Sequence, residues 1–140
     1  MENAKIIYQG GKKFLAQNNA HNIIIDLPVG SGGEDSGPTP PEVFIDSLGS
    51  CIGVYVIGYC KTAGINTEGL TIDVTWEKET KNKPNFIKNI DVKIDLPNVD
   101  IGPRKAALLK VAESCLIHQT IKAHPPINIS LASQTSNERA

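Results

Sequence analysis

The feature that most constrains the fold is a long apolar helix in the first half of the chain. Residues 37–60 read GPTPPEVFIDSLGSCIGVYVIGYC, and their only charges, Glu42 and Asp46, lie near the start. Thr39 is suited to cap this helix, two prolines suit its first turn, and Gly64 is suited to end it. The charge-free stretch of this helix is taken as residues 48–60. This stretch is shorter than the about 20 apolar residues that are needed to span a bilayer. We therefore expect a core helix and no membrane association.

Three short strands are predicted before this helix. Glycine and asparagine turns separate the apolar segments KIIY, KKFLAQ and NIIIDL, which is typical of an antiparallel meander. A loop rich in glycine, serine and proline follows, and we expect it to be mobile and to lie over a site. In chain order, the three segments and the loop are Lys5 to Tyr8, Lys12 to Gln17, Asn22 to Leu27 and Pro28 to Pro41.

The second half of the chain predicts a hairpin, a helix and a final strand. Apolar and polar residues alternate over residues 70–77 and 90–96, with a polar turn between them, so the two segments should pair. A helical apolar stripe that includes Cys115 begins after Gly102 and stops before Pro125. Residues 127–131, INISL, alternate as a strand, and the polar tail ASQTSNERA is expected to fray. This order, with three strands, a helix, two strands, a helix and a strand, predicts an α+β fold.

Length and composition indicate one domain over residues 1–140. The chain has 14 basic and 15 acidic residues and no block of like charge, so nothing favours nucleic acid or an anionic membrane as a partner. The amino terminus lacks the pattern of a secretory signal, which predicts a cytoplasmic location. In that reducing compartment, a disulfide among Cys51, Cys60 and Cys115 is expected to be transient rather than structural.

The three cysteines lie at different places in the two predicted helices. Cysteine is often a buried apolar residue, and Cys60 is interpreted as one. Cys51 and Cys115 each lie on a predicted core helix, and two core helices in a domain of this size are expected to touch, so these two thiols are candidates for a pair. Burial among apolar side chains opposes formation of a thiolate, and a cation from elsewhere would be needed to activate Cys51. Lys12 and Lys13 in the first hairpin are the candidates.

The segments GPTPPEVFIDSLGSC and AESCLIHQTI together resemble the OsmC family, which includes the organic hydroperoxide resistance proteins. The resemblance covers nearly the whole chain, including the order of the strands, and it is nearer to the OsmC-like branch. It implies an intertwined homodimer in which the central helices of two subunits cross and are wrapped by two sheets with strands from both chains. Gly49 and Gly53 would let two backbones approach closely in such a dimer.

The resemblance also implies a chemistry. Cys51 would be the peroxidatic thiolate that attacks an organic hydroperoxide and becomes a sulfenic acid, and Cys115 would resolve it as a Cys51–Cys115 disulfide. An external dithiol, for this family often a lipoylated protein, would reduce that disulfide, so no bound cofactor or metal is implied. Family peroxidases use a hairpin arginine and a glutamate before the central helix. Here the hairpin carries Lys12 and Lys13.

Glu42 is the candidate for the family glutamate, although it lies one position closer to Cys51 than the family pattern places that residue. Its other interpretation is a first-turn carboxylate that interacts favourably with the helix macrodipole. Two further functions stay open at the level of sequence. Cys51, Cys115 and His118 form a possible zinc set, and the fold could instead be a non-enzymatic dimeric module that binds an apolar small molecule.

Overall fold

The computed structural model describes residues 1–132, which form the predicted mixture of helices and strands. The first sheet is an antiparallel meander of three strands in chain order, as expected. The second strand begins later than predicted, because residues 9–13 form a turn in which Gly10 has a φ of 95° and its carbonyl accepts a 3.0 Å bond from the Lys13 amide. The strands are β1 (Lys5–Tyr8), β2 (Phe14–Asn18) and β3 (His21–Ile25).

The central helix, α1 (Pro40–Ala63), begins and ends where the sequence indicates. Thr39 and Glu42 form a capping box: the Glu42 amide donates to Thr39 Oγ1 at 3.4 Å, and Glu42 Oε2 accepts from the Thr39 amide at 2.7 Å. Gly64 ends the helix in the left-handed conformation, with a φ of 67°. Both ends are therefore set by local chemistry.

By length and composition alone, α1 also meets the requirements of a membrane-spanning helix, as core helices of globular proteins can. Within residues 1–132 it packs against the hairpin and the shorter helices that follow it in the chain, and 33% of its most apolar window is buried. Its buried residues recur at helical spacing and are Ile45, Leu48, Gly49, Ile52, Val56 and Cys60.

The predicted hairpin is formed by β4 (Thr71–Glu79) and β5 (Phe86–Asp95), with a register irregularity between Thr75 and Glu77. Its apolar side packs on α1. A Cβ atom added at Gly49 would lie 3.2 Å from Val74 Cγ2, and one added at Gly53 would lie 3.6 Å from Ile72 Cγ1. Within one chain, these glycines therefore make room for side chains of β4 rather than for another helix backbone.

The second helix of the prediction is broken in two. A short 3₁₀ turn at Gly102–Arg104 leads into α2 (Lys105–Glu113), and α3 (Leu116–Ala123) follows after Cys115, whose backbone is extended at φ −60° and ψ 146°. The apolar stripe runs through both helices, so periodicity alone does not reveal the break. Cys115 is consequently the cap of α3 rather than a residue inside a helix.

The core lies between α1, α2 and the β4–β5 hairpin, with Cys115 at the junction with α3. Its buried members form one contiguous cluster, which Cys51 joins as a partly buried neighbour. The fully or nearly fully buried residues of this cluster are Leu48, Ile52, Val56, Cys60, Leu96, Leu108, Ala112 and Cys115.

The last predicted strand is not formed in the single chain. Residues 127–131 have no regular structure, and the side chains of Ile127, Ile129 and Leu131 are almost fully exposed. The physical reason is that a strand needs a partner for its backbone hydrogen bonds, and none of the described strands pairs with this segment. Most of the predicted fraying tail, residues 133–140, lies outside the described residues.

Candidate functional site

The two cysteines that the sequence singles out meet between α1 and the start of α3. Cys115 is fully buried and Cys51 is half-buried. Burial raises the pKa of the Cys115 thiol, while the His118 amide, which donates to Cys115 Sγ at 3.3 Å, acts in the opposite direction. The neighbouring Cys51 thiol also raises the pKa of Cys115, which requires the two sulfur atoms to be close. Both are free thiols in this structure.

The third cysteine, Cys60, lies in the core, where the sequence analysis predicts a buried apolar residue. Its side chain is completely buried, and desolvation raises the pKa of its thiol. Since the thiolate is the reactive form, burial makes Cys60 the less reactive kind of cysteine. Cys115 is equally buried, but unlike Cys60 it lies beside a second thiol and accepts an amide hydrogen bond, so Cys51 and Cys115 are the candidates for chemistry.

An apolar cavity of about 400 Å³ opens next to the helices that carry these two thiols. Leu48 and Ile52 lie one turn before and one residue after Cys51, and Ala112 and His118 lie three residues on either side of Cys115. Such a volume suits a small, largely apolar ligand. The lining consists of Leu48, Ile52, Ile90, Val92, Ile94, Leu109, Ala112, Glu113, His118 and Ile121.

Glu42 lies away from Cys51 on the same helix. The two residues are nine positions apart, which corresponds to about half a rotation around the helix and about 13 Å along its axis. The Glu42 carboxylate is exposed and accepts the Thr39 amide in the capping box. Within one chain, Glu42 is thus a helix cap and does not reach Cys51.

Lys12 and Lys13 contact the loop after β3 rather than Cys51 in the part of the chain that the structure describes. Lys13 Nζ lies 2.7 Å from Glu34 Oε2, and this hydrogen bond raises the pKa of Lys13. The methylene groups of Lys12 lie beside Gly32. A single chain therefore does not bring either lysine to the thiol pair.

The loop between β3 and α1 is held by hydrogen bonds to one buried carboxylate, that of Asp26. Asp26, 1% exposed, accepts hydrogen bonds from the Leu27, Glu34 and Ser36 amides at 2.8, 3.1 and 3.2 Å, and from Ser36 Oγ at 2.7 Å. These bonds, the Ser36 hydroxyl first, lower the pKa of Asp26 to about 2, although burial acts in the opposite direction. Sequence reasoning missed Asp26. The available signal was an acid at the end of a strand, before a loop with many free amides.

The glycines of this loop explain how closely it folds. A Cβ atom at Gly33 would lie 1.9 Å from the Leu27 carbonyl oxygen, and one at Gly37 would lie 2.1 Å from the Ile24 carbonyl oxygen. Only glycine permits backbone segments to approach this closely. The loop is therefore a compact structure that carries Glu34 and leads directly into the cap of α1.

The zinc alternative finds no support in the geometry. His118 Nδ1 lies 3.0 Å from the Glu113 carbonyl oxygen, so that ring nitrogen already has a partner. Within residues 1–132, no three histidine, cysteine, aspartate or glutamate side chains are arranged to hold a metal ion. Cys51, Cys115 and His118 consequently do not form a metal centre in this structure.

The chain is a mixed α+β protein in which two free cysteines, distant in the sequence, lie close together. The family model described as OsmC-like protein matches residues 33–130. The chain belongs to the OsmC family. The predicted resemblance and fold are thus confirmed at the level of the family.

Solved structures show the same fold at low sequence identity. A candidate osmotic stress induced and detoxification response protein from Psychrobacter arcticus is 21% identical, with a TM-score of 0.76 and coverage of 86% of this chain and 88% of that one. An OsmC-like protein from Mycoplasma pneumoniae is 16% identical, with a TM-score of 0.73 and 87% coverage of both chains. An organic hydroperoxide resistance protein from Legionella pneumophila is 16% identical, with a TM-score of 0.66 and 87% and 89% coverage. A search of curated proteins found no match.

Proposed function

We propose that this chain is a thiol peroxidase that reduces organic hydroperoxides. The observation that carries the proposal is the adjacent pair of thiols, Cys51 half-buried and Cys115 fully buried. The Cys51 thiolate attacks the terminal peroxide oxygen, an S–O bond forms as the O–O bond breaks, and the alkoxide takes up a proton and leaves as an alcohol. The Cys115 thiolate then attacks the Cys51 sulfenic acid, forming a disulfide and releasing the oxygen as water.

The apolar cavity supports an organic hydroperoxide rather than a small polar oxidant as the substrate. Its walls are mainly aliphatic side chains from α1, β5, α2 and α3. An alkyl group bound there is removed from water, which favours binding. Neither thiol lines the cavity, but its lining residues Ile52 and His118 lie one and three positions from Cys51 and Cys115 in the sequence. Structural neighbours in this family include proteins named organic hydroperoxide resistance proteins.

The cycle needs a reductant that returns two electrons to the disulfide. We expect an external dithiol, such as a lipoylated protein, because a dithiol can release itself as a cyclic disulfide. The proposed chemistry takes place at sulfur and calls for no bound cofactor. It also suits a reducing compartment such as the cytoplasm, where the resting thiols stay reduced.

We further propose that the active form is a homodimer. Two features of the single chain support a partner: the three-stranded sheet leaves Ile6 and Tyr8 more than half exposed, and the strand-like segment 127–131 has no strand to pair with. A second copy would also offer a route by which Lys12, Lys13 or Glu42 of one chain approaches Cys51 of the other. Light scattering in solution tests the dimer directly, and a monomer at micromolar concentration would contradict it.

The second candidate function is a non-enzymatic module that binds an apolar small molecule in the same cavity. It is favoured by the positions of the candidate activating groups, because Glu42 caps α1 and Lys13 pairs with Glu34. In this case the two cysteines serve as packing. Ligand binding without peroxide consumption would identify this function.

The test compares peroxide consumption by the wild type, Cys51→Ser and Cys115→Ser, with cumene hydroperoxide and a dithiol. We expect Cys51→Ser to lose turnover, and Cys115→Ser to react once and leave a sulfenic acid that a dimedone-type reagent traps. The wild type should lose two of its three thiols per chain and recover them with the dithiol. Equal peroxide consumption by all three proteins would refute the peroxidase.

A further inference from the structure

We propose that His118 and Gln119 are positioning residues for the Cys115 thiol. Their side chains close the break between α2 and α3, and this closure holds the Cys115 sulfur beside Cys51. The inference rests on the proposed function in that it concerns the same thiol pair. It adds which residues keep the two sulfur atoms within reach of each other.

The break leaves the last carbonyl of α2 at the end of a helix. In a continuous helix, the Glu113 carbonyl would accept the backbone amide four residues further on. α2 instead ends at Glu113, and the Cys115 amide bonds back to the Ala112 carbonyl at 3.3 Å. The Cys115 backbone is then extended, and α3 follows directly. The orientation of α3 relative to α2 therefore depends on which donors the Glu113 carbonyl finds.

Two side chains of α3 donate to the Glu113 carbonyl oxygen. His118 Nδ1 lies 3.0 Å from this oxygen, and Gln119 Nε2 lies 2.6 Å from it. A carbonyl oxygen only accepts, so the hydrogen of this bond lies on His118 Nδ1, and the two lone pairs of the oxygen suit two donors. These bonds join the start of α3 to the end of α2.

The same two residues bond to Cys115 through their backbones. The His118 amide donates to Cys115 Sγ at 3.3 Å, and the Gln119 amide donates to the Cys115 carbonyl at 3.0 Å. Each residue is therefore bonded to Glu113 by its side chain and to Cys115 by its main chain. This double attachment sets the direction of the Cys115 side chain, which is fully buried and close to the Cys51 thiol.

All four bonds lie within one chain and within one short segment around the break. A second copy that covers the exposed face of α1 would replace none of them, so the positioning is the same in a monomer and in the proposed dimer. It acts on the distance between the two sulfur atoms and does not require a charged Cys115.

Loss of the closure should weaken the pairing of the thiols. Two thiols on separate helices form a disulfide readily when the fold holds them near each other, which gives one thiol a high effective concentration at the other. Without the closure, α3 can turn at the break, and Cys115 spends more time away from Cys51. The equilibrium constant for forming the Cys51–Cys115 disulfide should then fall by about fivefold for each hydrogen bond removed.

The experiment measures this constant in glutathione buffers, without peroxide. Oxidised glutathione takes two electrons and two protons from the thiol pair, the Cys51–Cys115 bond forms, and two molecules of reduced glutathione result. After acid quenching and alkylation, peptide mass spectrometry gives the fractions of dithiol and of disulfide. We expect His118→Ala and Gln119→Ala each to lower the constant about fivefold, and the double variant to lower it further.

Thr120→Ala is the matched control. The Thr120 hydroxyl also belongs to α3, but it donates to the Leu116 carbonyl of the same helix at 2.7 Å and does not cross the break. Its removal should leave the disulfide constant unchanged. His118→Asn supplies an N–H donor at about the position of Nδ1, and it should return the constant to within about twofold of the wild type.

Urea unfolding of the same reduced proteins separates positioning from general stability. A purely structural role would lower the urea midpoint of the alanine variants and leave their disulfide constant equal to that of Thr120→Ala. That result, or a higher constant in the alanine variants, would overturn the proposal. If the double variant does not fold, the two single variants decide it.

Peroxide consumption is measured separately, so the two proposals can fail independently. If the glutathione constant responds as expected and cumene hydroperoxide is not consumed, the peroxidase fails and the positioning role stands. If the peroxide is consumed and the constant does not respond, only the positioning role fails. If no glutathione buffer joins Cys51 to Cys115 in the wild type, the positioning role and the disulfide step of the peroxidase both fail.

Discussion

Replacing Gly33 by alanine tests whether the loop between β3 and α1 is as compact as the structure shows. The added Cβ atom would lie 1.9 Å from the Leu27 carbonyl oxygen, 2.5 Å from the Leu27 carbonyl carbon and 2.8 Å from Asp26 Oδ1. Contacts below 3.0 Å are essentially never made by a Cβ atom, and here the nearest neighbours are backbone atoms that cannot rotate away. The loop or the end of β3 must therefore move.

The magnitude follows from the hydrogen bonds that such a movement breaks. The Gly33 amide donates to the Pro28 carbonyl at 3.1 Å, and the Asp35 amide donates to the Leu27 carbonyl at 3.0 Å. At about 1 kcal/mol each, their loss lowers the free energy of unfolding by about 2 kcal/mol. Any strain that remains in the displaced loop adds to this loss.

The assay is equilibrium unfolding in urea, with Gly30→Ala as the matched control in the same loop. A Cβ atom at Gly30 meets nothing within 4 Å, so this variant should be as stable as the wild type or slightly more stable, because alanine restricts the unfolded chain. We expect the urea midpoint of Gly33→Ala to fall well below that of Gly30→Ala. Coincident unfolding curves would show that the loop is not folded onto Leu27, and the reasoning would be refuted.

Three further predictions concern Asp26, Thr39 and Cys60. The pKa of Asp26 falls from 3.8 to about 2 on folding, so its contribution to stability is present above pH 4 and is lost as the pH falls through about 2. Urea unfolding between pH 5 and 2 should show this loss. Asp26→Asn should be less stable than the wild type at pH 7 and should lack this component of the pH dependence. Thr39→Ala removes the side-chain cap of α1 and should lower the free energy of unfolding by about 1 kcal/mol in urea, whereas Thr39→Ser should retain most of it; equal losses would show that the hydroxyl does not cap the helix. Cys60→Ala should leave peroxide-driven loss of two thiols per chain unchanged in a thiol titration, and a loss of only one would place Cys60 in the redox pair.

The break in the second predicted helix shows where periodicity stops being informative. The apolar residues of α2 and α3 continue one stripe, and the sequence AESCLIH contains neither proline nor glycine to mark an end. The break arises because Cys115 adopts an extended backbone and uses its buried sulfur as the cap of α3. Cysteine is not among the preferred capping residues, so sequence alone gives no reason to place a cap there.

The hydrogen bonds of the loop after β3 are also beyond what composition reports. Its glycines, serines and prolines are the composition of a mobile segment, and composition does not say whether loop amides find a common acceptor. Asp26 supplies that acceptor because the chain turns back over the end of β3. The Lys13–Glu34 ion pair joins this loop to the first hairpin. Because its two residues are far apart in the sequence, no local sequence pattern predicts the pair.

The sequence by itself determined the elements whose causes are local: the capped helix from Pro40 to Ala63, the three-stranded meander, the alternating hairpin and the family. Only the tertiary structure decided that Cys51 meets Cys115, that the Cys115 sulfur caps α3, and that Lys13 pairs with Glu34. The physical reason is the range of the interactions. Caps, turns and periodic burial act over a few residues, whereas the meeting of two thiols depends on how helices distant in the chain pack around one core.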